Sequence, residues 1–194
     1  LNCAVGKVSS GTGFTACDEC AVGKHQPAPG QSACLDCEPG TYSNKLGASR
    51  CTNCAAGKYS PAAAAGSCTD CPAGRFEPST GATSCDLCEA GRYQSSTGQT
   101  SASACTDCGA GKYQAGNAGA RVCTACVAGR FADEAKLQSC KECPAGKVQA
   151  DAEQVSCMPC FPGTFQGSTG QQNCTECAVM YFAETQLATE CVRC

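Results

Sequence analysis

The chain has no isoleucine and no tryptophan, two methionines and a single histidine among its 194 residues. Leucine, valine and phenylalanine together number 21. A chain that poor in apolar bulk cannot offset the entropy of ordering itself by burial alone. Charge does not explain an open chain either, because the net charge is only -3. The same balance excludes the basic surface on which nucleic-acid binding rests. No apolar run is long enough to span a membrane as a helix, and no secretory leader is legible. Hydrolytic triads, EF-hand loops and glycine-rich phosphate loops are missing as patterns. The lone histidine, His25, stands at a position that other copies of a repeat fill with an aromatic ring, so it reads as a partly packed ring. No enzyme, no cofactor and no metal site is expected.

What the chain has instead is cysteine: 23 of them. Cys3 is followed by eleven Cys-x-x-Cys pairs, from Cys17/Cys20 to Cys191/Cys194, most of them recurring every 17 residues. A fixed period of this kind marks a tandem repeat array. Units too small to build a core depend on disulfides or metal, and bridged thiols imply an oxidising setting, secreted or at the cell surface. We read 1–194 as one continuous array of small disulfide-rich repeats, elongated, with short β segments and turns and little or no helix. Its units are 3–17, 20–34, 37–51, 54–68, 71–85, 88–105, 108–123, 126–140, 143–157, 160–174 and 177–191. The half pair at Cys3 and the completed pair at Cys194 make it read as an excerpt of a longer chain.

Within the loop that follows each pair, three positions repeat. The third residue is Gly in ten of eleven copies, as at Gly6, Gly40, Gly74, Gly111 and Gly163, which points to a tight turn at positive φ or close backbone approach. Met180 takes that place in the last copy and leaves its turn open to a different geometry. The fifth residue is aromatic in eight copies, Tyr42, Tyr59, Phe76, Tyr93, Tyr113, Phe131, Phe165 and Phe182, with Val8, Val148 and His25 in the others. Such a ring is each unit's miniature core, set against its own bridge and its neighbour's. The fourth residue is Lys or Arg in eight copies. Acids one residue before the second cysteine, Glu19, Asp36, Asp70, Asp107, Glu142 and Glu176, are its partners in weak exposed pairs. Clusters such as Pro78-Ser79-Thr80-Gly81 mark a second turn. Phe131–Leu137 is the one stretch that reads as a single helical turn.

Two loops depart from thirteen residues: Cys88 to Cys105 has sixteen, and Cys108 to Cys123 has fourteen. Insertions in a repeat array map to a binding face or a bend. The cysteine parity fits loop closure, which pairs all but Cys194, but it also fits bonds inside each Cys-x-x-Cys, and links between adjacent units stay open. The spacing is close to that of a four-cysteine zinc site as well. Against zinc, nothing divides the evenly spaced pairs into sites. Redox catalysis by Cys-x-x-Cys would need one activated pair in a βαβ setting, which is missing.

The run Cys71-Pro72-Ala73-Gly74-Arg75-Phe76, closing at Cys85, resembles the first half-module of tumour-necrosis-factor-receptor cysteine-rich domains. Repeated in tandem without the second half-module, it is more similar to ephrin-receptor-like cysteine-rich repeats. The resemblance implies loop-closing disulfides: Cys3 with Cys17, Cys20 with Cys34, Cys37 with Cys51, Cys54 with Cys68, Cys71 with Cys85, Cys88 with Cys105, Cys108 with Cys123, Cys126 with Cys140, Cys143 with Cys157, Cys160 with Cys174 and Cys177 with Cys191. It leaves Cys194 unpaired and implies an extracellular setting. Asn173-Cys174-Thr175 is an N-glycosylation sequon. The expected role is a structural segment of a filament, stalk, coat or ciliary-surface hair, partnered by copies of itself or by other surface proteins. The alternative is a receptor or adhesion ectodomain.

Overall fold

The computed structural model describes residues 2–9, 16–115 and 119–194. Every repeat in it is built the same way. The fourth and fifth residues form a two-residue strand, which pairs antiparallel with the two residues between the cysteines of the next pair. Lys24–His25 pairs with Leu35–Asp36, Lys58–Tyr59 with Thr69–Asp70, and Arg130–Phe131 with Lys141–Glu142. Eleven such two-stranded sheets occur among the described residues, each made of strands consecutive in the chain. A hairpin this short is not stable alone in water. Here its open end is closed by the bridge, worth about 3 kcal/mol for a loop of roughly 15 residues in the chain-entropy model.

The turn ahead of each hairpin is fixed by backbone bonds. The N–H of the fourth residue donates to the carbonyl of the first, as in Lys24 to Ala21 at 3.0 Å, and the second cysteine of the next pair donates to the third residue, as in Cys37 to Gly23 at 2.9 Å. The third residue sits at positive φ throughout, from +76° at Gly6 to +86° at Gly163. Met180 keeps the same turn, with φ +70°, and its carbonyl accepts from Cys194 N at 2.9 Å. The loop tip holds a second positive φ, at Gly47, Gly81 and Gly170, and also at Ala64, Lys136, Glu153 and Leu187, which have a Cβ.

Adjacent repeats are joined by three further backbone bonds. In the first repeats, Gly23 N donates to Ser43 O at 2.8 Å, Gln26 N to Ala48 O at 3.0 Å and Gly47 N to Cys20 O at 2.8 Å. Farther along, Gly129 N donates to Gln149 O at 2.7 Å, Ala132 N to Gln154 O at 3.0 Å and Glu153 N to Cys126 O at 2.7 Å. These bonds satisfy loop backbone that a core-poor chain could not bury unpaired. The chain divides into two compact bodies, Leu1–Leu87 with Ser96–Ala104 and Cys88–Ser95 with Cys105–Cys194.

Phe131–Leu137 does not form a helical turn. Phe131 is in a strand, and Lys136 occupies the loop-tip turn at φ +67°. Its N–H is held by Cys108 O at 2.8 Å, so the inter-repeat bond overrides local helical preference. The one helical element among the described residues is a 3₁₀ turn at Ala102–Ala104, inside the long loop. No helix among the described residues is long and apolar enough to cross a membrane.

Candidate functional site

The cysteines form the spine. The structure joins the second cysteine of each pair to the first of the next, from Cys3–Cys17 through Cys71–Cys85, Cys88–Cys105 and Cys108–Cys123 to Cys177–Cys191. Cys194 is free and exposed. Burial is asymmetric across some of the bridges, while Cys71–Cys85 and Cys88–Cys105 are buried at both ends. The opening cysteines Cys20, Cys37, Cys54, Cys71, Cys108 and Cys126 are wholly buried, whereas the closing Cys34, Cys51 and Cys68 are only half-buried.

The fifth-position ring packs on the next repeat. Tyr113 lies against Cys126, Ala132 and Cys140 of the repeat that follows its own. Tyr59 lines a groove with Pro72, Arg75 and Cys85 in the same relation. His25 occupies the equivalent place over Cys37–Cys51, with Nδ1 3.1 Å from Cys51 Sγ. The ligand-type atoms of His25, Cys37 and Cys51 all lie within 4.8 Å of one another, the two sulfurs being joined as a disulfide.

Five of the eight fourth-position cations meet their acids across the hairpin ladder, whereas Arg75 and Lys147 face Leu87 and Pro159, and the expected partner Glu176 faces Thr164. Lys7 faces Glu19 at 3.2 Å, Arg92 faces Asp107 at 2.7 Å and Arg130 faces Glu142 at 2.5 Å, while Lys24 and Lys58 pair with Asp36 and Asp70. These pairs are cross-strand neighbours within one repeat, mostly solvent-exposed and correspondingly weak. Lys112 faces Ala125 across its ladder and reaches instead to Glu153, two repeats on, at 2.9 Å. The hydrogen bond and charge of Glu153 hold the Lys112 ammonium above the ordinary lysine value. Lys141 is raised by its hydrogen bond to Asp133, whose carboxyl is lowered in turn.

One position escaped the sequence reading. The sixth loop residue is buried in repeat after repeat: Gln26, Ser43, Ser60, Glu77, Ala132, Gln149 and Ala183. Its carbonyl accepts from the preceding repeat's glycine and its N–H donates to the following repeat. Where the side chain is polar, it braces its own loop. Gln149 Nε2 donates to Ser156 O at 2.8 Å while Gln149 Oε1 accepts from Asp151 N at 3.1 Å, and Gln26 does the same with Ala33 and Ala28. A recurring Gln, Ser or Glu after the ring was the available signal.

The two long loops take up their extra residues differently. The loop of the sixth repeat keeps the regular docking bonds, Gly98 N to Cys71 O at 2.8 Å and Glu77 N to Gln99 O at 2.9 Å, and its surplus forms the 3₁₀ turn before Cys105. In the seventh repeat the surplus falls between Gln114 and Gly119, and residues 116–118 of that stretch lie outside the described residues. Beside these loops is an open groove lined by Tyr93, Asp107, Lys112, Val122, Cys123 and Glu153. Asn173 and Thr175 of the sequon are both exposed, with the Asn173 carbonyl accepting from Gln166 Nε2 at 3.0 Å.

The family model described as tyrosine-protein kinase ephrin type A/B receptor-like matches twice, over residues 6–49 and 40–85. The chain carries ephrin-receptor-like cysteine-rich repeats, and the same hairpin, bridge and glycine turn continue through the repeats beyond the matched segment. No curated protein matches the chain.

Proposed function

We propose that this chain is a structural segment of an extracellular or cell-surface protein, an elongated disulfide-stapled spacer in a filament, stalk, coat or surface hair. The observation that carries this reading is uniformity. One set of inter-repeat bonds, Gly N–H to the sixth-residue carbonyl and its two companions, recurs along both bodies, and stacked repeats of this kind act as quasi-one-dimensional elements. The repeats spend their side chains on bridges, ring contacts and exposed ion pairs, which suits mechanical spacing better than catalysis. Its partners on this reading are further copies of itself or other surface proteins, with an N-glycan on exposed Asn173. Small-angle scattering of the purified segment is expected to give a maximum dimension far above that of a compact 194-residue domain, whose radius of gyration is about 16 Å. A compact particle overturns the proposal.

A second reading, a receptor or adhesion ectodomain, rests on one place. The groove lined by Tyr93, Lys112 and Glu153 sits beside the two irregular loops and combines a ring with charges of both signs. Replacing both long loops by regular thirteen-residue ones separates the readings. Loss of adhesion with unchanged dimensions favours a ligand site, and altered dimensions with unchanged adhesion favour the spacer.

A further inference from the structure

Ten of the eleven bridges face a fifth-position residue other than histidine or have none before them, and one faces an imidazole, because the chain contains a single histidine. His25 Nδ1 lies 3.1 Å from Cys51 Sγ and within 4.8 Å of Cys37 Sγ. Cys37 is wholly buried and Cys51 half-buried. Cys51 lines an open groove with His25, Leu35, Asp36, Glu38 and Thr41, so an attacking sulfur can reach Cys51 and not Cys37. Lys24 engages Asp36, which leaves Glu38 as the acid of the groove without a counter-ion among the ion pairs of the described residues.

We propose that Cys37–Cys51 is a thiol–disulfide exchange site for small thiols, activated by His25. A thiolate RS⁻ attacks Cys51 Sγ, the Cys37–Cys51 bond breaks, and the electron pair leaves on Cys37 Sγ as thiolate. His25, within 4.8 Å of both sulfurs, relays to that thiolate the proton shed by the incoming thiol, giving a mixed disulfide R–S–S–Cys51 and a Cys37 thiol. A second thiolate attacks the external sulfur and releases RSSR. The electron pair then leaves on Cys51 Sγ, next to Nδ1, and is protonated to the thiol. The sum is one disulfide and two RSH giving two cysteine thiols and RSSR. A cation beside the leaving sulfur lowers the thiol's proton affinity, and a better leaving thiolate departs faster. The bridge is therefore the most readily opened of the eleven, and its opening releases the loop of the third repeat, against which His25 of the second repeat lies. Cationic thiols suit the groove better than anionic ones, because Asp36 and Glu38 face it.

The test uses the whole folded chain. It is incubated with cysteamine, or in a parallel arm with glutathione, quenched with an alkylating reagent, digested and mapped by mass spectrometry. Cys54–Cys68 is the internal reference, since it has the same pattern of a wholly buried and a half-buried sulfur without an imidazole. Cys37 and Cys51 are expected to be labelled about tenfold faster than Cys54 and Cys68. The cysteamine adduct is expected on Cys51, and cysteamine should outpace glutathione. His25→Tyr, which restores the ring found in other repeats, is expected to bring Cys37–Cys51 down to the reference rate, and His25→Phe repeats the test with a ring that has no hydroxyl. Equal labelling of the two bridges in the unmodified chain overturns the proposal without any variant. So does an unchanged Cys37–Cys51 rate in either variant.

Discussion

Two separate demands fall on the third residue of most repeats. The turn holds it at positive φ, where a side chain costs about 1 kcal/mol or somewhat more. Independently, the loop tip two repeats on presses a carbonyl against it: a Cβ built on Gly40 would lie 2.1 Å from Gly81 O. At Gly163 the same φ occurs with nothing within 4 Å of the built Cβ. The two glycines therefore separate the demands. Gly163→Ala is expected to cost about 1 kcal/mol, whereas Gly40→Ala must displace backbone and is expected to cost at least about 3 kcal/mol. Denaturant unfolding of the two variants measures the difference, and equal losses would remove the packing demand. Glycine's turn role was legible in the sequence, because a Gly held at one fixed offset from cysteine marks a backbone angle that other residues resist. The carbonyl two repeats on was not legible, since it belongs to a backbone atom whose own residue varies between Gly, Ala, Lys, Glu and Leu. The buried sixth residue was fainter for a related reason: its main-chain partners tolerate Ala132 and Ala183 as well as the recurring Gln, Ser or Glu.

At the scale of the hairpin, two strand residues cannot display the alternation by which strands are recognised. The repeat frame located them instead: ring and cation on one side of the loop, acid on the other. Pairing of cation and acid across a ladder is what opposite charges do in any antiparallel pair, so the charge partners were readable once the loop was treated as a hairpin. Arg75, Lys112 and Lys147 are exceptions, because their ladder partners Leu87, Ala125 and Pro159 offer no charge; the Lys112 ammonium turns to Glu153 instead. That contact raises the Lys112 proton affinity above the ordinary value near 10.5. A folded-state value raised above the unfolded one means that the pair's contribution is fully present below pH 10.5 and is lost as pH rises through the higher folded value. In an NMR titration, Lys112 is expected to deprotonate above the ordinary lysine value, and Glu153→Gln should bring it back to the ordinary range. Titration of Lys112 at the ordinary lysine value in the unaltered chain would mean that the Glu153 pair is not populated in solution.

For the whole molecule, the backbone bonds between repeats reach one repeat on, and the loop-tip contacts reach two. The nearest-neighbour term is the three backbone bonds, and the next-nearest term is the tip carbonyl on the third-position glycine. Stability should then be local along the chain, as in other stacked repeats, and a perturbation should fade within two repeats. The last repeat offers a direct measurement. Leu187 O lies 2.3 Å from a Cβ built on Gly146, while Gly163 N and Gln166 N donate to Ala183 O and Ala188 O. Deleting residues 177–194 removes all three partners. Hydrogen exchange at Gly163 and Gln166 is expected to quicken by at least about tenfold, with the amides of Gly23 and Gln26 unchanged. In the same truncated chain, Gly146→Ala should cost only the positive-φ strain of about 1 kcal/mol, against at least about 3 kcal/mol in the full chain. The predicted non-additivity of deletion and substitution is thus about 2 kcal/mol, well above the scatter of independent sites. Additive losses would mean that Gly146 and the tip at Leu187 do not touch in solution. Coupling would then be carried by adjacent repeats alone.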